Sequence, residues 1–154
     1  MSVEPVDHER HMHRCLELAQ RAAAHGEVPV GAVIVQGGNV IAEACNQPIG
    51  RCDPTAHAEI CAIRLAATVV ENYRLVGCTI YSSIEPCLMC AGAVMHARLD
   101  RIVYGAPEPR AGAVSGNVNY FDALQHFHKI EVIGNILSDE SRALIQKFFR
   151  DRRK

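Results

Sequence analysis

The chain reads as an α/β protein: a mixed sheet of about five strands with helices on both faces, a three-layer α/β/α arrangement. Three observations lead there. Apolar residues recur every three to four positions near both ends, at Met12, Cys15, Leu16, Ala19, Ala22 and Ala23 and again at Leu144, Ile145, Phe148 and Phe149. Between them lie short β-branched runs bounded by turn residues. In the second half a strand, a small-residue helix and another strand follow one another, which calls for parallel pairing through a right-handed crossover.

Taken in order, residues 1–6 are expected to fray and 7–24 to form an amphipathic helix, with Arg10, Arg14, Glu17 and Arg21 opposite the apolar stripe and Gly26 ending it. Residues 30–35 and 40–45 read as a hairpin around Gln36-Gly37-Gly38-Asn39. Residues 46–54 are a Pro- and Gly-containing loop. Residues 57–70 are apolar almost all round, through Ile60, Cys61, Ile63, Leu65, Ala66, Val69 and Val70, and predict a buried helix. Asp53 or Thr55 is placed to close its N-terminus. A strand at 78–82, a helix at 87–97 and a strand at 101–104 follow. Residues 107–119 form a long loop, 122–125 one helical turn and 129–133 a last strand. Ser138-Asp139-Glu140-Ser141 supplies a cap and early acids for a final helix whose core face is Leu144, Ile145, Phe148 and Phe149.

A length of 154 residues suits one domain spanning 1–154. A net charge of −1 argues against a broadly basic nucleic-acid coat, so any RNA contact should be local. The charged N-terminus lacks the apolar core of a signal peptide, and no apolar run reaches the roughly 20 residues of a membrane span. Seven cysteines without disulfide-scaffold spacing fit a reducing cytoplasm, two as metal ligands and five as free thiols.

The chemistry is concentrated in His57-Ala58-Glu59 and Pro86-Cys87-Leu88-Met89-Cys90. His57, Cys87 and Cys90 carry the nitrogen and sulfur donors that Zn²⁺ favours in a tetrahedron. Three protein ligands leave a fourth place to water, whose pKa then falls to about 7. Glu59 can reach that water without binding the metal and can move its protons. Pro86 suits a first helical position, which would put Cys87 and Cys90 one turn apart at the positive end of a helix dipole, where thiolates are favoured. An H-x-E followed by P-C-x-x-C is the signature of zinc-dependent nucleobase deaminases. Cys61 lies four residues after His57 and leaves open a closed Cys3His site, a structural zinc module without catalysis.

From about Arg14 to its end the chain resembles the tRNA-specific adenosine deaminases of the cytidine deaminase-like superfamily. The residues that carry the resemblance are Glu27 to Val33, Asn46 to Arg51, Asp53 to Glu59, Glu85 to Gly92 and Phe148-Phe149-Arg150. The resemblance implies strand order 2-1-3-4-5 and one Zn²⁺ per subunit. It implies hydroxide on zinc attacking C6 of adenosine at the tRNA wobble position, Glu59 shuttling protons and inosine as product. It further implies a base-binding pocket, with the Asn46 amide on the purine edge and Ala58 and Pro86 beside it. The partners implied are a tRNA anticodon stem-loop and a second copy of the chain, for which the small residues Ala91, Gly92 and Ala93 permit close approach. Arg150, Arg152, Arg153 and Lys154 are the candidate phosphate contacts; as spacing alone they read equally as a solvated helix end. Residues 113–128 depart from the family's usual pattern, and Pro107-Glu108-Pro109 is unusual in its loop. Together with the near-neutral charge, that keeps a second enzyme reading, deamination of a free nucleobase or nucleoside.

Overall fold

A computed structural model of the chain describes residues 7–115, 118–123 and 128–153. The expected fraying of residues 1–6, residues 124–125 of the expected turn and Lys154 lie outside the described residues. One five-stranded sheet runs in the order β2-β1-β3-β4-β5, as the resemblance implied. Its strands are β1 (Gly31–Gln36), β2 (Asn39–Cys45), β3 (Cys78–Ile84), β4 (Arg101–Ala106) and β5 (Glu131–Ile133). β1 is antiparallel to both β2 and β3, while β3, β4 and β5 are parallel. The β1–β2 hairpin closes at the Gln36–Asn39 pair through Gly37 and Gly38, with φ of 56° and 81°, a tight turn that only glycine accepts at both positions without strain.

The pleat sorts the sheet into two rows. Val33, Tyr81, Val103 and Ile133 lie side by side in register and face one layer; Ile34, Ile80, Ile102 and Val132 do the same on the other. α1 (His8–Ala24) covers the first row with Met12, Cys15 and Leu18, and α6 (Ser138–Arg152) packs beside it against β4. α3 (Ala58–Val70) and α4 (Leu88–His96) cover the second row. Asp7 caps α1, its carboxylate accepting the Arg10 N–H at 3.0 Å. A Cβ on Gly31 would run into the backbone of Cys15 and Ala19, so glycine permits the close approach of α1 to β1. Two one-turn helices, α2 (Pro48–Arg51) and α5 (Tyr120–Ala123), lie in the loops before α3 and after β4.

Four local expectations need correction. α3 is not buried all round: Leu65 and Val69 are 47% and 59% exposed, because only its Ala58, Cys61, Ala62 and Ala66 face meets the sheet. On α6 the buried residue is Ser141, whose hydroxyl donates to the Ser83 carbonyl, while Leu144, Ile145 and Phe148 are half-buried and Phe149 is exposed. The helix contacts β3, β4 and α1, and Ile145 packs partly buried against the core, so its apolar stripe is only partly covered. Ser138 is the first helical residue and does not cap; Leu137 precedes it in a left-handed conformation, with φ of 56°. Neither Asp53 nor Thr55 caps α3: the Asp53 carboxylate instead takes the backbone and hydroxyl hydrogens of Thr55 in a turn two residues too early.

Candidate metal centre and active site

Two helix N-termini meet at one place. His57 is the N-cap residue of α3 and Cys87 the N-cap residue of α4, with Cys90 in the first turn. Pro86 therefore stands one residue before the cap and not at the first helical position; the extended backbone at Cys87, ψ 176°, delays the helix by two residues. The consequence for the donors is the one the spacing called for. His57 Nδ1 lies 3.7 Å from Cys87 Sγ and 3.6 Å from Cys90 Sγ, and the three donor atoms are all within 4.8 Å of one another. A tetrahedral ion with Zn–S of about 2.3 Å and Zn–N of about 2.1 Å needs a sulfur–nitrogen edge of about 3.6 Å. The donor set fits zinc in both type and spacing. Cys61 is buried in the α3 core face and does not join the cluster, so the three-sulfur arrangement is not formed.

The electrostatics around these donors are strongly perturbed. Hydrogen bonding from the Cys90 thiol, helped by His57, brings the Cys87 thiol down to about 4, a thiolate at neutral pH. The Cys90 thiol is raised, first by that bond to Cys87 and then by burial. The bond to Cys87 raises the His57 imidazole against the opposing effect of burial. Glu59, 3% exposed, is pushed up to about 7, chiefly by desolvation. A carboxyl that exchanges protons near neutrality, beside an open three-donor set, suits general acid–base work.

The rims of the site are fixed by polar side chains reaching across the chain. Asn46, 8% exposed, accepts the Ala58 N–H at 2.9 Å, so the Asn46 carbonyl and the Ala58 amide, both expected at the base edge, are paired with each other. Among the described residues no acceptor takes the Asn46 NH₂ group. Glu27, 4% exposed, accepts the N–H groups of Ile49 and Gly50 at 3.1 and 2.8 Å. It thus does the work of an N-cap for α2 from more than 20 residues upstream, and it sets the loop that leads into His57. Glu85, part of the segment that carries the resemblance, is 2% exposed and accepts the N–H groups of Glu108, Val114 and Ser115. Both acids stand in segments that carry the resemblance, but nothing in sequence points to the N–H groups that they hold. Pro86 is buried beside the donors, and its carbonyl accepts the Ala113 N–H at 3.0 Å. Arg150, Arg152 and Arg153 stand exposed at the end of α6, in the α1 layer and not in the α3/α4 layer that carries the donors.

A model of the cytidine and deoxycytidylate deaminase zinc-binding region matches residues 5–106. The chain belongs to this zinc-binding deaminase family. Zn²⁺ is accordingly its cofactor. Among curated relatives, the tRNA-specific adenosine deaminase of Haemophilus influenzae is 44% identical over 146 residues, covering 94% of this chain and 84% of the relative. That of Bacillus subtilis is 37% identical, covering 95% and 91%. A solved structure from a study of A-to-I editing by tRNA:A34 deaminases at the wobble position superposes with a TM-score of 0.85 at 39% identity, covering 88% of this chain and 98% of the other. A guanine deaminase from Nitrosomonas europaea superposes with a TM-score of 0.80 at 26% identity, covering 96% and 86%. Among the described residues no helix is long and apolar enough to cross a membrane.

Proposed function

We propose that this chain hydrolytically deaminates adenosine to inosine at the wobble position of a tRNA anticodon, releasing ammonia. The observation that carries the reading is the open set of His57, Cys87 and Cys90 beside the buried Glu59. His57, Cys87 and Cys90 would hold the Zn²⁺, which when bound supplies the Lewis acidity that lowers the pKa of water to about 7. Glu59 would move both protons of the attacking water in turn, the first to the purine ring nitrogen beside C6 and the second to the departing amino group, so that the C6–N bond is exchanged for a C6–O bond and ammonia leaves. Its burial beside the three donors places one carboxyl within reach of both proton transfers. The Asn46 NH₂ group is the donor offered to the purine edge, with its carbonyl oriented by Ala58. Pro86 lines the pocket beside the sulfurs. Adenosine inside an anticodon loop is unstacked enough to be turned out into such a pocket, and Arg150, Arg152, Arg153 and Lys154 are the candidates for its backbone phosphates. An anticodon stem-loop with adenosine at the wobble position should yield one inosine there. The same stem-loop with guanosine at that position and adenosines elsewhere should yield none. Inosine spread over all adenosines would contradict the assignment.

The likeness to a guanine deaminase supports a second reading, the same residues acting on a free base. The higher identity of the tRNA-acting relatives favours the first.

The protein is further proposed to act as a cytoplasmic homodimer of one-domain subunits. On α4, Leu88 and Met89 are 57% and 36% exposed, and a Cβ on Gly92 would meet nothing within 4 Å. Such an open apolar face next to the donors suits a second copy. Sedimentation should show a dimer at micromolar concentration, and a monomer throughout that range would remove the proposal.

A further inference from the structure

A carboxylate removed from water needs several hydrogen-bond donors to offset its lost hydration. Glu85 is such a group, and three donors from one loop meet it. Its Oε1 accepts the Glu108 N–H at 3.1 Å, and its Oε2 accepts those of Val114 and Ser115 at 3.1 and 3.0 Å. The loop between β4 and α5 is thereby gripped near both ends by one side chain. Two backbone links continue the contact into the metal-binding segment: Gly112 bridges to Cys87 as an isolated β-bridge, and Ala113 N–H donates to the Pro86 carbonyl. The fit is close enough to require glycine at 112, where a Cβ would stand 2.5 Å from both the Glu85 carboxyl and the Glu108 carbonyl. Pro107 and Pro109 stiffen the chain between these anchors. The outer part of the loop, Pro109 to Ala111, is exposed beside the N-terminus of α4.

We infer that Glu85 is a positioning residue for the nucleotides flanking the target base: it clamps the 107–115 loop to the Cys87 segment and so fixes a wall of the substrate groove relative to the metal donors. The inference rests on the polynucleotide reading above. A base in the pocket is reached by Glu59, Asn46 and Pro86, whereas the neighbouring sugar-phosphate needs a surface outside the pocket whose position does not wander. Loops that drift between conformations tax binding by the fraction of time they are competent. A loop held by five links to the metal-binding segment has no such loss.

The test is Glu85→Gln in the zinc-loaded protein. Glutamine keeps the size but turns one acceptor into a donor against buried N–H groups. The expected result is a KM for an anticodon stem-loop raised about tenfold, a kcat within about threefold, and zinc still at one per chain. Trypsin cleavage at Arg110–Ala111 should become at least about tenfold faster, because a released loop opens locally. Gly112→Ala forces the same clamp from the loop side and should give the same split between KM and kcat; it decides the matter if the Gln variant does not fold. An unchanged KM with unchanged cleavage, or a loss of zinc and kcat with KM unaltered, would overturn the clamp. If the wild-type protein fails to turn over the stem-loop at all, the substrate reading falls while the Arg110 cleavage still judges the clamp.

Discussion

Replacing Glu59 with glutamine should remove catalysis and at the same time stabilise the metal-free protein. In the fold its carboxyl rises from 4.5 to about 7, with burial as the leading cause. At about 1.36 kcal/mol per unit, that shift corresponds to roughly 3 kcal/mol of folding free energy lost once the group is ionised. The sign follows from the proton count. Between pH 4.5 and 7 the folded protein keeps a proton that the unfolded chain has released, so stability is greatest below 4.5 and falls as pH rises through 7. Glutamine has no proton to lose, so the advantage of Glu59→Gln should grow across that window and level off above it at roughly 3 kcal/mol. Turnover should fall by about 10²–10⁴, the usual contribution of a general acid–base group. The assay is paired: urea melts of metal-stripped protein at pH 5 and pH 8, and inosine formation with zinc content for the loaded protein. Loss of zinc along with activity would mean that Glu59 supports the metal. A variant less stable than wild type at pH 8 would refute the desolvation argument.

X-ray absorption of the zinc-loaded protein should count two sulfurs and one imidazole nitrogen, and Cys61→Ala should leave that count unchanged; a third sulfur would revive the structural-zinc reading. His8 and His11 pack on Tyr81, His8 through a 2.8 Å bond to the phenol, and both imidazoles are lowered chiefly by burial. The unfolded rings take protons near 6.5 before the folded ones do, so this contribution should be full above 6.5 and diminish as pH falls below it. The difference between wild type and His11→Gln in urea midpoint at pH 7.5 and 5.5 isolates the effect, and a difference of opposite sign would contradict it. Truncation after Phe149 removes Arg150, Arg152, Arg153 and Lys154; stem-loop affinity should weaken and its salt slope flatten by at most about four units, each released phosphate contact counting for about one. Equal slopes for the two proteins would remove the tail from the interface.

The convergence of His57, Cys87 and Cys90, with Glu59 buried nearby, was legible in sequence because short, fixed spacings generate it: an imidazole at a helix start, a carboxylate two residues on, and two thiols within one turn. The layers were legible because Val33, Tyr81 and Val103 alternate with Ile34, Ile80 and Ile102 along strands of plain β composition. The strand order came from the resemblance, since pleat and period carry no information about neighbours. What Glu27 and Glu85 hold was illegible for a different reason. Each acts on backbone N–H groups that come near it only after folding, 22 to 30 residues along the chain. The faces of α3 and α6 misled because periodicity reports an apolar stripe and not what covers it: Leu65 and Val69 lie outside the layer, and on α6 Ile145 is only partly buried against the core while Phe149 is exposed.

Deamination of adenosine held within a polynucleotide, by Glu59 beside His57, Cys87 and Cys90, is decided most directly by a choice of substrates. Zinc-loaded protein should be incubated in parallel with an anticodon stem-loop, adenosine, guanine and cytidine, and both ammonia and inosine read for each. The stem-loop should give equal amounts of ammonia and inosine, and the free compounds at least about a hundredfold lower turnover. Release of ammonia from free guanine or adenosine, with the stem-loop untouched, would contradict it.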